Sequence, residues 1–382
     1  MRVVGYLATI VVGAWLLLAA APRAQESSNW RDASPHRVQL VTVNGNLQLE
    51  VLDWGGSGRE IVLLAGAGNT AHVFDDIAPL LAADGHVYGI TRRGYGASSA
   101  ATNGYAVEEL ATDVLQVLDK LGIQKPVLVG HSLAGQEISF LASKYPARLA
   151  GAVYLDAAYR YALYRPGVRE NLRELKGKLD LLEAELNKPP QTPAVLSKAI
   201  RSVMGDTLDD LRQDLRELMT APELPPVSPQ PSAGDLKDVA AYRAWTGRVL
   251  GYALPEGELR AVRSVGADGS VGPVKASPEI SRLIQAGGQH FTDIPVPTLA
   301  IFASPHDLGP WTRDDPAHRE AFEAFARFDE AMTERQAAWV ERRVIGSRVV
   351  RLRGAHHYLF ISHQAEILKE IRAFLRRLGA SG

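Results

Sequence analysis

The sequence predicts an α/β fold: a mostly parallel central sheet with flanking helices, and a helical cap inserted between two of its strands. Three observations carry that expectation. Short apolar runs alternate with stretches of helical periodicity at both ends of the chain. The runs are continuous rather than alternating, as in strands covered on both faces. One of them ends in Gly130-His131-Ser132-Leu133-Ala134, a strand-to-helix turn with a serine at its tip.

Each element follows from the local pattern. Residues 37–43 and 47–54 read as a hairpin around Asn44-Gly45-Asn46. Residues 61–64 enter a glycine-rich loop, Ala65-Gly66-Ala67-Gly68-Asn69. Residues 87–90 enter Thr91-Arg92-Arg93-Gly94-Tyr95-Gly96. Residues 107–121 place Leu110, Val114, Leu115, Val117, Leu118 and Leu121 at helical spacing. A strand over 127–129, a helix over 133–144 stopped by Tyr145-Pro146, and a strand over 152–155 follow. After Asp156 the rhythm breaks. Residues 159–291 show helical patterns, with amphipathic stretches at 169–186 and, in two pieces, 196–218. Prolines interrupt them at Lys188-Pro189-Pro190 and through 222–231, and 266–273 reads as a glycine-rich loop. Strands over 298–302 and 347–352 and helices over 322–343 and 364–378 then resume the α/β order. The expected organisation is a core over 25–158 and 293–382, interrupted by a cap over 159–292.

The chain of 382 residues is 46% hydrophobic and 22% charged, the balance of a globular protein rather than a disordered or polytopic membrane one. Its formal net charge of −1 offers no basic field for nucleic acid. It has no cysteine, so disulfides, thiolate metal sites and a cysteine nucleophile are excluded. Residues 1–24 read as a targeting segment. Arg2 precedes an apolar run over 3–21, and Ala19, Ala20, Ala21 and Ala24 offer small residues for cleavage. The run is also just long enough to span a bilayer, so an uncleaved anchor is the other outcome. Either way the rest of the chain is expected to be exported, periplasmic or secreted, with a membrane touched only through that anchor.

Ser132 sits where a nucleophile would. A strained turn exposes the hydroxyl only if the residues two before and two after are small, and Gly130 and Ala134 are. The N–H of Leu133 lies at a helix start, where it can face a developing oxyanion. With these landmarks the chain resembles the α/β-hydrolase superfamily, in its capped, lipase- and esterase-like branch. Ala65-Gly66-Ala67-Gly68 is similar to the family's H-G-x-G loop, with Ala65 in place of histidine. Arg93-Gly94-Tyr95-Gly96-Ala97-Ser98 is similar to its R-G-x-G-x-S turn, with Thr91 where aspartate is usual.

The resemblance implies an order of serine, acid and histidine. It implies an oxyanion hole from the backbone N–H groups of Ala67 and Leu133. It implies His357 as base in Ala355-His356-His357-Tyr358, with His356 the alternative. It implies Asp307 as the orienting acid, after the strand following the cap, with Asp156 at the preceding strand end as the alternative. His306 reads as a loop residue. Tyr159 at the cap entrance and Trp311 are candidate substrate contacts, with Tyr161, Tyr164, Tyr242, Trp245, Tyr252 and Phe291 as further walls of an apolar, aromatic pocket. No cofactor is implied. The His356–His357 pair has no third ligand at a recognisable spacing, so no metal is expected there. The activity implied is cofactor-independent cleavage of a carboxylic ester of a small molecule, apolar or aromatic. Amidase, lactonase, carbon–carbon hydrolase or perhydrolase chemistry on the same triad, or ligand binding alone, are the alternatives.

Overall fold

The computed structural model describes residues 30–187, 192–203, 206–222 and 228–380. The targeting segment, Lys188-Pro189-Pro190 and part of the later proline run lie outside the described residues. Among the described residues no helix is long and apolar enough to cross a membrane.

Eight strands form one sheet: β1 (Arg37–Val43), β2 (Leu47–Gly55), β3 (Glu60–Leu64), β4 (His86–Ile90), β5 (Val127–His131), β6 (Gly151–Leu155), β9 (Thr298–Ala303) and β10 (Arg348–Leu352). Their order is β1-β2-β4-β3-β5-β6-β9-β10. The hairpin β1–β2 and the β2–β4 pair are antiparallel; every other pair is parallel. Asn44 and Gly45 take φ of 46° and 81°, the positive values a tight hairpin turn demands.

The continuous apolar runs are explained by cover on both faces. Val62, Leu64 and Leu128 point into one core with helices α1 (Val107–Leu121) and α2 (Gly135–Lys144). Ile61, Leu63, Val127 and Val129 point into the opposite core. Each such side chain contributes about 1.5–3 kcal/mol on burial. Helix α1 stops where Gly122 adopts φ 71°, a left-handed cap that costs glycine little.

Between β6 and β9 the chain inserts α3 (Val168–Leu186), α4 (Pro193–Val203), α5 (Asp206–Thr220), α6 (Val239–Leu250), α7 (Glu256–Val262), the ribbon β7 (Arg263–Val265) and β8 (Val271–Val274), and α8 (Pro278–Ala286). The stretch expected as a glycine-rich loop is thus the turn and second strand of a small antiparallel ribbon. The insertion has two characters. Helices α3 and α5 carry exposed Leu172, Leu179, Leu181, Leu215 and Met219. In contrast, Tyr242, Trp245, Leu259 and Val271 from its second half join the second sheet core. Helices α9 (Arg319–Arg343) and α10 (Gln364–Ala380) flank the sheet after β9 and β10.

Candidate active site

Parallel β5, β6, β9 and β10 deliver their following loops to one edge of the sheet, and the candidate residues gather there. Ser132 follows β5 at φ 52°, a conformation a non-glycine residue rarely takes. The packing shows why its neighbours are small. A Cβ on Gly130 would lie 2.5 Å from Ile138 Cδ1 and 3.1 Å from Ala134 Cβ. A Cβ on Gly135 would lie 2.2 Å from the carbonyl oxygen of Ala157. Ser132 is 9% exposed, and the Tyr161 phenol lies near its side chain. Burial, and then Asp156, push that phenol well up, so it stays protonated.

His357 lies in the loop after β10. Its Nδ1 donates to Asp156 Oδ2 at 2.6 Å, and its Nε2 has no hydrogen-bond partner. Its ring packs 4.6 Å from that of His131, the residue before the serine. His131 donates from Nε2 to the His357 carbonyl, at 3.1 Å. Burial first, and His357 second, hold the His131 pKa well below the ordinary value, so it is neutral. His356 turns away. It packs against Tyr252 with the rings tilted and 4.3 Å apart, accepts from the Tyr358 N–H, and is pushed down to about 3 by burial and by His357.

The acid expected from the sequence is corrected by the geometry. Asp307 has a side chain 32% exposed, and its Oδ1 accepts from the Gly309 N–H at 2.9 Å and from Arg313 at 3.1 Å. The carboxylate at His357 is Asp156, at the end of β6, 0% exposed and at φ 49°. Its Oδ1 accepts from Ala303 N and Tyr159 Oη, and its Oδ2 from His357 and His306. Burial would raise its pKa. The His306 charge and the bonds from both histidines outweigh that and hold the carboxyl well below the usual range.

His306 is likewise not a plain loop residue. Its Nε2 lies 2.7 Å from Asp156 and its Nδ1 2.8 Å from Asp329. Donating from both nitrogens makes it an imidazolium. Burial opposes that charge, but Asp156 and Asp329 override it and raise the pKa well above the ordinary value.

The remaining candidates are placed as follows. Ala67 and Leu133 share one small apolar cluster with Tyr95 and Ile280, so their loops adjoin. A Cβ on Gly66 would lie 3.0 Å from Ser132 Cβ, so this loop passes directly beside the serine. Tyr159 is corrected from a substrate wall to a support of Asp156, because its hydroxyl donates there at 2.7 Å. Trp311 packs edge-on against Phe322 and donates to the Leu308 carbonyl. Tyr242, Trp245 and Phe291 belong to the cores, not to a pocket.

Sequence reasoning missed the groups that hold the Ala65–Asn69 loop. Arg92 donates to the carbonyls of Ala65 (2.9 Å) and Gly66 (3.3 Å). It also grips Glu137 of α2 with two bonds of 2.7 Å. That buried fork anchors a loop whose position 65 is alanine. From α7, Glu258 accepts from Asn69 and Thr70, and burial pushes it up to about 7. The arginine beside the R-G-x-G-x-S turn was the available signal.

Among the described residues two groups bring three or more metal-ligating side chains together. One is Asp156, His306 and His357; the other is Asp32, His36, His72 and Asp75. In the first, Asp156, both nitrogens of His306 and Nδ1 of His357 are engaged in the bonds just described.

Known proteins agree with this architecture. Residues 60–224 match the family described as alpha/beta hydrolase fold. The chain is 23% identical over 284 residues to the 2-(acetamidomethylene)succinate hydrolase of Mesorhizobium japonicum, covering 71% of this chain and 95% of that protein. It is 30% identical over 115 residues to the fluoroacetate dehalogenase of a Burkholderia species, covering 29% of this chain and 38% of the relative. A crystal structure of E-2-(acetamidomethylene)succinate hydrolase superposes with a TM-score of 0.55 at 18% identity, over 89% of this chain and 99% of that one. Seven curated relatives at 30–37% identity are matched over only 22–44% of their own length. The chain has the α/β-hydrolase fold.

Proposed function

We propose that the protein is a serine hydrolase that cleaves a carboxylic ester of a small molecule through an acyl-enzyme. One observation carries this: Ser132 on its positive-φ turn directly follows His131, whose ring packs 4.6 Å from that of His357, and His357 is held by the buried Asp156. In this reading Ser132 Oγ attacks the carbonyl carbon and His357 Nε2 takes its proton. The N–H groups of Leu133 and Ala67 donate to the oxyanion. Collapse breaks the ester C–O bond, His357 returns the proton to the alcohol, and the acyl group stays on Ser132. Water deprotonated by His357 then releases the acid and restores the serine. Asp156 remains ionised, holds the Nδ1–H tautomer and stabilises the imidazolium.

A panel of ester, lactone and amide substrates, run with wild type and Ser132→Ala, tests the reading. A fluorophosphonate should label Ser132, and the variant should lose both labelling and ester turnover. Labelling elsewhere, or full activity in the variant, overturns it. A second reading, cleavage at an acetamido group, is favoured by the relative matched along 95% of its length. Amide turnover without ester turnover would select it.

Export is part of the proposal. Arg2, the apolar run and the following alanines support it. N-terminal sequencing of fractionated cells should find a start between about residues 22 and 26, or an intact Met1 in the membrane. Intact Met1 in a soluble cytoplasmic fraction overturns it.

A further inference from the structure

We propose that Asp32, His36, His72 and Asp75 form a closed four-ligand site for a divalent transition-metal ion, zinc by preference, behind the loop that flanks Ser132. Asp32 and His36 come from the segment leading into β1. His72 and Asp75 come from the single helical turn Ala71–Phe74 and its end, two residues beyond Thr70 of the loop. One ligand atom from each lies within 4.8 Å of the others.

The separations fit one ion. His36 Nδ1 is 3.0 Å from Asp75 Oδ1, and His72 Nδ1 is 3.2 Å from Asp32 Oδ2 and from Asp75 Oδ2. Ligands at about 2.0–2.1 Å in a tetrahedron stand roughly 3.3 Å apart. The orientation fits too. The side chains of His36 and Asp75 are only 2% and 4% exposed, yet His36 Nδ1, Asp75 Oδ1 and Asp32 Oδ2 have no hydrogen-bond partner. Buried polar atoms are nearly always paired. His36 Nδ1 and Asp75 Oδ1 face each other at 3.0 Å without a hydrogen bond, and His72 Nδ1, which bonds Asp75 Oδ2, lies equally close to Asp32 Oδ2, so one ion held among the four would satisfy the atoms left over.

Two surrounding features support the site. Gly257 of α7 closes over it, where a Cβ would fall 2.2 Å from Asp32 Oδ2 and 2.8 Å from Asp75 Oδ2. Beyond His72, its Nε2 faces Glu50 Oε1 at 3.6 Å, and Glu50 Oε2 accepts from Thr91 Oγ1 at 2.7 Å. A carboxylate on the far nitrogen is the usual orienting partner of a metal-bound imidazole. Two neutral imidazoles and two carboxylates balance a doubly charged ion, and a nitrogen–oxygen set of four suits zinc. All four positions are filled by protein, so the ion is structural. It ties the N-terminal segment to the turn after the Ser132-flanking loop. This inference does not rest on the proposed reaction.

The test uses the full chain without a histidine tag, and the absence of cysteine removes thiolates as competing ligands. Metal content is measured by mass spectrometry. Chelator-dialysed protein is then titrated with zinc chloride by calorimetry and by thermal midpoint. About one zinc per chain, with a midpoint that rises on zinc addition, is expected. Asp32→Asn, at the most accessible ligand, should abolish stoichiometric binding. Glu50→Gln should weaken it by about 10- to 100-fold. Asp307→Asn should bind like wild type. Folded protein with no zinc uptake and no midpoint shift overturns the site, because protons then occupy the histidines. So does unchanged binding in Asp32→Asn, or a preference for calcium or magnesium over zinc.

Discussion

Among the described residues two clusters bring histidines and carboxylates together, and they are built on opposite rules. At Asp156 each carboxylate oxygen and both nitrogens of His306 meet a partner, so a continuous line of hydrogen bonds runs from His357 to Asp329. At Asp75 the atoms are as close, but three atoms of the cluster make no hydrogen bond. The same residue types can therefore make a proton-ordering relay or a coordination shell. What separates them is whether donors point at acceptors or lone pairs share a focus.

The relay can be broken most severely at its centre. Asp156→Asn should lower kcat by roughly 10⁴-fold, because the amide favours the wrong tautomer of His357. Asp307→Asn should change kcat by about twofold or less, as for an exposed substitution. Steady-state kinetics on both variants decides between the two acids. A collapse in Asp307→Asn with an active Asp156→Asn would return the role to the residue expected from sequence.

A smaller effect should come from His306→Gln, which removes a cation from beside Asp156. Asp156 then keeps three of its four donors and orients His357 less firmly, so kcat/KM should fall by about 10- to 100-fold. An unchanged kcat/KM would make His306 a mere support. The same pair sets a stability window. The raised pKa of His306 means its contribution is present below about 6.5 and lost as pH rises through its folded value. The depressed pKa of Asp156 means its contribution is present above about 3.9 and lost as pH falls through its folded value. The pair therefore stabilises most at mildly acidic to neutral pH. His306→Gln should flatten the dependence of unfolding free energy on pH above about 6.5.

The mildest change is Tyr159→Phe. It deletes one donor to a charged carboxylate that keeps three others. The expected cost is about 1.5–3 kcal/mol in denaturant unfolding, with kcat within about tenfold of wild type. A loss as large as that of Asp156→Asn would show that the hydroxyl takes part in the chemistry.

What could be read from sequence was whatever is local. The serine turn, its small neighbours and helix α1 depend on residues within a few positions, and the structure has each where the pattern put it. The acid depends on a contact between residues 201 apart. β6 and β9 are adjacent and parallel, with Leu155 opposite Ile301, so both following loops reach the same edge. Local pattern cannot choose between two aspartates so placed. The second cluster was missed for the same reason. Asp32 and His36 are four apart and His72 and Asp75 three apart, but only the folded chain unites the two pairs. The pocket aromatics were misjudged because Tyr242 and Trp245 sit in helices that the sheet itself uses as cover.

The contact of Gly135 with the Ala157 carbonyl carries a consequence for how this scaffold can change. Main chain touches main chain there, 2.2 Å from where a side chain would begin, and it joins the turn bearing the serine to the strand exit bearing the acid. Alignment of the reacting groups is thus a dimension of the frame, machined into two adjoining strands, and owes nothing to helices α3 to α5. Those outer helices can be recombined, lengthened or replaced in the laboratory as an interchangeable roof. Selection for new specificity should therefore accumulate its changes there, while positions 130, 134 and 135 stay invariant in every functional descendant.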